Sequence, residues 1–144
     1  MKKFHFRLEQ VLQQKIKQEE QALLELAKAQ QECARCEREL NESKGKMQQT
    51  IAYTESIRHP GEHMQSLIYL EHLQKNIQCQ QRLLQRAQEI VQLRKEAALK
   101  ARQERMILEK LKEKQVQEYK ELEFYLEQKE IDELATSRYI RTIN

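Results

Sequence analysis

Cys33-Ala-Arg-Cys36 is the arrangement in this chain nearest to a reactive or metal-binding site. A zinc-binding C-x-x-C needs two further ligands at matched spacing, commonly a second C-x-x-C or a histidine pair. The other thiol is Cys79, and the histidines are His5, His59, His63 and His72. His59 and His63 bracket Pro60-Gly61, where a solvated polar turn is the simpler reading. Cys33 falls on the apolar row of a helix, where a thiol packs as a small hydrophobe. Three cysteines, an odd number, fit reduced thiols in a cytoplasmic protein. No Gly-rich phosphate loop, H-E-x-x-H or G-x-S-x-G occurs. Carboxylates are plentiful, but nothing in the pattern encloses one so as to shift its pKa. The expectation is therefore a chain without catalytic residues, metal, cofactor or small-molecule substrate. Its chemistry is the charge and apolar surface it offers to other macromolecules.

That charge is unevenly placed. Residues 94–114 carry Arg94, Lys95, Lys100, Arg102, Arg105, Lys110, Lys112 and Lys114 against Glu96, Glu104, Glu109 and Glu113. Residues 118–133 invert the balance, with Glu118, Glu121, Glu123, Glu127, Glu130, Asp132 and Glu133 against Lys120 and Lys129. The start is basic, with Lys2, Lys3, Arg7, Lys15 and Lys17 against Glu9. The net charge of +3 is too mild to imply nucleic acid by itself. The basic block leaves a nucleic-acid-binding helical arm as an alternative, and its interleaved glutamates argue against it.

The elements that display these groups follow from composition and from one break. Charged residues make up 34% and aromatics 6%, and mean hydropathy is −0.92. Gln, Glu, Lys, Leu, Arg and Ala dominate, as in coiled coils and long helices. Pro60 is the sole proline, and Gly61 follows it directly. Proline removes a backbone donor and clashes with the preceding helical turn. The pattern predicts an all-α chain, an antiparallel two-helix coiled-coil hairpin over 1–144. Helix 1 spans about 4–57, the turn 58–63, and helix 2 about 64–138, with the C-terminal helix overhanging. No stretch is long and apolar enough for a membrane span, and the start has no apolar core of a secretory signal.

On helix 1 a three-four spacing runs through Leu12, Ile16, Glu19, Leu23, Leu26, Gln30, Cys33, Glu37, Leu40, Lys44, Met47, Ile51 and Thr54. Ala22, Ala29, Cys36 and Ile57 flank it. Gln30, Glu37 and Lys44 would make its middle polar, which costs stability but can fix register. On helix 2 the row includes Leu70, Leu73, Ile77, Leu84, Ala87, Val91, Ala98, Ala101, Leu108, Tyr119, Leu122 and Leu126. Folding at Pro60-Gly61 pairs residue i with roughly residue 120 minus i. Everything after about residue 117 then lacks an intramolecular partner, an overhang of about 30 Å. Tyr119, Leu122, Leu126 and Ile131 lie there at helical spacing, with Phe124 and Tyr125 beside them. An intermolecular contact is one reading of this stripe, and a frayed terminus the other. A parallel homodimer, a four-helix assembly of two hairpins and a purely structural coiled coil also stay open.

Several segments resemble a known family. Phe4-His5-Phe6-Arg7-Leu8-Glu9-Gln10-Val11-Leu12 resembles the start of the FliJ family, coiled-coil components of the bacterial flagellar type III export apparatus. Tyr69-Leu70-Glu71-His72-Leu73, with Ile77 and the Gln-rich run to Ala87, is similar to its middle. Ala101-Arg102-Gln103-Glu104-Arg105 and Leu108-Glu109-Lys110-Leu111-Lys112-Glu113-Lys114 look like its second half. Tyr119, Glu123 and Glu127-Gln128-Lys129-Glu130-Ile131-Asp132-Glu133 resemble its closing segment.

The resemblance implies a cytoplasmic antiparallel hairpin, peripheral at the inner-membrane export apparatus and similar in shape to the stalk of rotary ATP synthases. It implies three partners: the hexameric flagellar export ATPase, the cytoplasmic domain of the membrane export gate, and export chaperones. The ATPase would be met at the end carrying both termini, by Phe4, Phe6, Arg7, Tyr119, Leu122, Leu126 and Ile131. The gate would be met near the turn, by Tyr53, Tyr69, Leu73 and Ile77, although Leu73 and Ile77 also read as seam residues. His72 departs from an aromatic in the family. The equivalent stalk of a virulence-type secretion system is a close variant.

Overall fold

A computed structural model describes residues 2–143. Two helices account for nearly all of them: α1, Glu9–Ser56, and α2, Pro60–Ile143. The two pack antiparallel, and the described residues contain no strand. The fold is the all-α hairpin that the break and the two periodic segments predict.

Its boundaries differ from the expected ones in three places. The reversal occupies 57–59, and Pro60 and Gly61 lie in the first turn of α2 rather than in the turn at 58–63. Proline at the first helical position gives up a donor that has no intrahelical acceptor anyway. The break acts through the residue before it, because proline bars its predecessor from helical geometry. That residue, His59, becomes the helix cap: its Nδ1 accepts from the Gly61 N–H at 3.2 Å, and its carbonyl accepts from His63 N–H at 3.0 Å. The Ser56 hydroxyl closes α1 by donating to the Tyr53 carbonyl at 2.7 Å. At the start, α1 begins at Glu9 and not near residue 4. Residues 4–8 run non-helical, with Phe6 buried and His5 and Arg7 exposed. Residues 7–8 form a turn in which the Glu9 N–H donates to the Phe6 carbonyl at 3.1 Å. At the far end α2 continues to Ile143, beyond the expected 138.

The chain comprises two compact units. One comprises Glu20–Lys100. Its seam holds Leu40, Leu73, Ile77, Ala87 and Ala98, all buried, with Leu26, Cys33 and Met47 half-buried. The second row of the α1 seam is the expected flank of Ala22, Ala29 and Cys36 rather than the longer residues beside it. Leu23, Gln30, Glu37, Lys44 and Ile51 face solvent, and Ala22, Ala29, Cys36, Ser43 and Thr50 turn inward. Small side chains let the backbones approach closely, so the flank wins over the longer residues. The polar middle predicted for the seam therefore lies outside it. Near the turn the seam becomes hydroxylic: Thr54 and Ser66 are buried and hydrogen-bonded to each other.

The other unit joins the chain up to Glu19 with the chain from Ala101 onward. Phe6 and Leu12 are its buried apolar residues. Ion pairs cross its seam: Lys15 with Glu104 at 3.1 Å, Glu9 with Lys112 at 2.8 Å, and Glu19 with Arg105, which also holds Glu109 at 2.6 Å.

Candidate protein-interaction surfaces

The extended start of the chain lies along α2. The rings of Phe4 and Tyr119 are tilted against each other with centroids 5.5 Å apart, and the Tyr119 hydroxyl donates to the Lys2 carbonyl. An extended segment covers about twice the distance per residue of a helix. The N-terminal residues thereby reach Tyr119. Of the expected ATPase-contacting residues, Phe6 is 4% exposed. Phe4 and Tyr119 are half-buried against each other, and Arg7 is exposed.

Beyond this clasp α2 has no cover. Every residue of 120–143 except the half-buried Glu123 is exposed, including Leu122, Leu126 and Ile131. Tyr139, Ile140 and Ile143 are bare too, and the expected helix end near 138 had left them outside the reading. These residues do not form one stripe. At 3.6 residues per turn, Leu122, Leu126 and Ile140 share one side, and Phe124 and Ile131 project roughly opposite. Leu134 occupies one flank between them, and Tyr125 and Ile143 the other. Among the described residues, none of the seven carboxylates of 118–133 forms an ion pair. Gln117 and Gln128 donate to Glu121 and Asp132 along the helix.

A second surface lies near the turn, within the Glu20–Lys100 unit. Tyr53 and Tyr69, both exposed, line an open groove of about 580 Å³ together with Thr50, Gln65 and Ser66. Met64, Leu67 and Ile68 are exposed alongside. The sequence reading missed them because its α2 row begins at Leu70. Leu73 and Ile77, expected at this surface, are 5% and 7% exposed and sit in the seam. They hold the helices together beneath it.

The remaining candidates are dispersed. Cys36 is buried, Cys33 half-buried and Cys79 exposed, and all three thiols are free. Cys36 Sγ lies 3.9 Å from Glu32 Oε1. The Arg35 guanidinium, hydrogen-bonded to Glu32, holds that carboxyl below its usual range. Three of the basic groups of 94–114 are engaged with glutamates: Arg94 with Glu25 at 3.2 Å, Arg105 with Glu19 and Glu109, Lys112 with Glu9. No helix of the described residues is long and apolar enough to cross a membrane.

A two-helix coiled coil whose bare apolar groups are carried on outer surfaces belongs to the class of helical interaction proteins. Over residues 4–144 the chain matches the family model for the flagellar FliJ protein, and it belongs to the FliJ family. No curated protein and no solved structure matches it. Membership makes it a flagellar export-related protein, of a family that is a non-catalytic component of the export apparatus.

Proposed function

We propose that this chain is a stalk-like adaptor of the flagellar export machinery, working at the cytoplasmic side of the inner membrane. Its terminal segment engages the hexameric export ATPase. The region around Tyr53 and Tyr69 contacts the cytoplasmic domain of the membrane export gate, and export chaperones are further clients. The observation that carries this reading is the bare end of α2, apolar on every side and lined with unpaired carboxylates. A groove covers one side of a helix, whereas a ring covers all sides. Full burial of one such side chain is favourable by about 1.5–3 kcal/mol, so a few can anchor a complex. The carboxylates favour a basic lining and make the contact salt-sensitive. In this reading Leu122, Leu126, Ile131 and Arg7 touch the ring, and Phe4, Phe6 and Tyr119 build the clasp beneath them. Tyr53 and Tyr69 touch the gate, over a seam held by Leu73 and Ile77.

The test is removal of residues 121–144, which spares Tyr119 and its clasp. Stimulation of ATP hydrolysis by the partner ATPase should be lost while the remaining helices keep their circular dichroism. Undiminished stimulation overturns the assignment. At the other surface, Tyr53→Ala with Tyr69→Ala should weaken retention on the gate domain without loss of helicity.

A further inference from the structure

The outward side of α2 carries a row that neither the seam nor the clasp uses. From Gln103 to Ala135 it recurs every three or four residues through Ile107, Lys110, Lys114, Glu121, Phe124 and Ile131, and every one of these is exposed. The row carries Lys110 and Lys114 before Gln117 and Glu121 after it, with Ile107 in the first half and Phe124 and Ile131 in the second. Ile107 is 66% exposed and Phe124 69%. We infer that this face pairs antiparallel with the same face of a second copy of the chain, about a two-fold axis near residues 117–118.

The argument is self-complementarity. A two-fold contact places residue i of one copy against residue j of the other and j against i. With the axis near 117–118, Lys114 meets Glu121 of the second copy, twice by symmetry. Lys110 meets the rings at 124 and 125, a cation–π geometry. Ile107 enters the space between Phe124 and Ile131 as a knob enters a hole. A parallel pairing would set Lys114 against Lys114 and Glu121 against Glu121, which repel. Lys110 and Lys114 form no ion pair within the described chain, and Glu121 is held only by the Gln117 amide. All three therefore have bonding capacity left for a second copy. The contact also covers Phe124 and Ile131, so a paired chain withholds that side of the terminal helix from any other partner.

Sedimentation of the purified full-length chain alone tests this without reference to any ATPase. At low salt the chain should shift toward a two-copy species as concentration rises, and added salt should weaken the shift. Lys114→Glu and Glu121→Lys should each weaken association by about tenfold or more, because each turns an attractive pair into a repulsive one. Mixing the two variants should restore it, since every contact across the axis is then again opposite in sign. The double variant Lys114→Glu with Glu121→Lys should associate alone. A chain that stays monomeric at low salt overturns the proposal. So do single variants that associate like the parent, and so does a mixture that fails to recover.

Discussion

The two units meet the same problem, holding one helix against another, with different chemistry. In Glu20–Lys100 the seam is Leu40, Leu73 and Ile77 set among Ala22, Ala29, Cys36, Ser43 and Ala87. In the unit of the two termini it is Lys15–Glu104, Glu19–Arg105 and Glu9–Lys112, with Phe6 and Leu12. Apolar burial is insensitive to alignment along the axis and strong per residue. Charge pairs are weak when partly exposed, but they penalise a wrong register. The first unit therefore supplies most of the cohesion, and the second fixes which residues face each other beside the open end of α2.

The largest expected effect falls on the apolar side. Leu73→Ala should destabilise the chain by about 2 kcal/mol, the low end for buried Leu→Ala because the seam is one layer thick. Urea unfolding followed by circular dichroism measures it, and a negligible change would erase the contrast. The cap comes next. His59→Ala should cost about 1 kcal/mol, and His59→Asp should recover most of it. A comparable gain of about 0.8–1 kcal/mol is expected from Gly45→Ala, since a Cβ there meets nothing within 4 Å and the residue is helical. A thermal melt that does not rise would point to a need for flexibility at that position.

The smallest effect sharpens the charged side. Hydrogen bonding from Lys112, then from Gln13, holds the Glu9 carboxyl below its ordinary value of 4.5. A carboxyl depressed in the folded state stabilises it fully above the unfolded value and loses that contribution as pH falls through the folded value. Amide exchange over residues 10–19 should therefore quicken as pH drops below about 4.5, after correction for intrinsic exchange. In Glu9→Gln that pH-dependent component should be absent.

The hairpin was legible because one proline interrupts two segments of good helix formers. The α2 seam was legible because Leu73, Ile77, Ala87 and Ala98 are its apolar row. The α1 seam was half legible. The row through Leu12, Leu26 and Leu40 is correct and Ala22, Ala29 and Cys36 were read as its flank, but counting large apolar residues chose Leu23 and Ile51 and passed over Ser43 and Thr50. Periodicity scores side-chain size, whereas two helices settle on the flank that lets them come closest. The start was misread as helix, although Phe4-His5-Phe6-Arg7 alternates with period two. The bare terminal segment followed from pairing arithmetic. Its all-round distribution did not, because Ile131 was taken to continue a row from which it lies half a turn away. His59 as a cap carries no sequence signal beyond its place before proline.

The three-residue turn also sets an order of assembly. Thr54 and Ser66 are 12 positions apart in sequence, while Lys2 and Tyr119 are 117 apart. Closing a short loop costs less entropy than closing a long one, and each pair formed shortens the loop left for the next. The helices should therefore zip from the turn outward, with the Phe4–Tyr119 clasp the last contact made. On the way back it is the first to open, so thermal fluctuations free the chain's start while the turn stays shut.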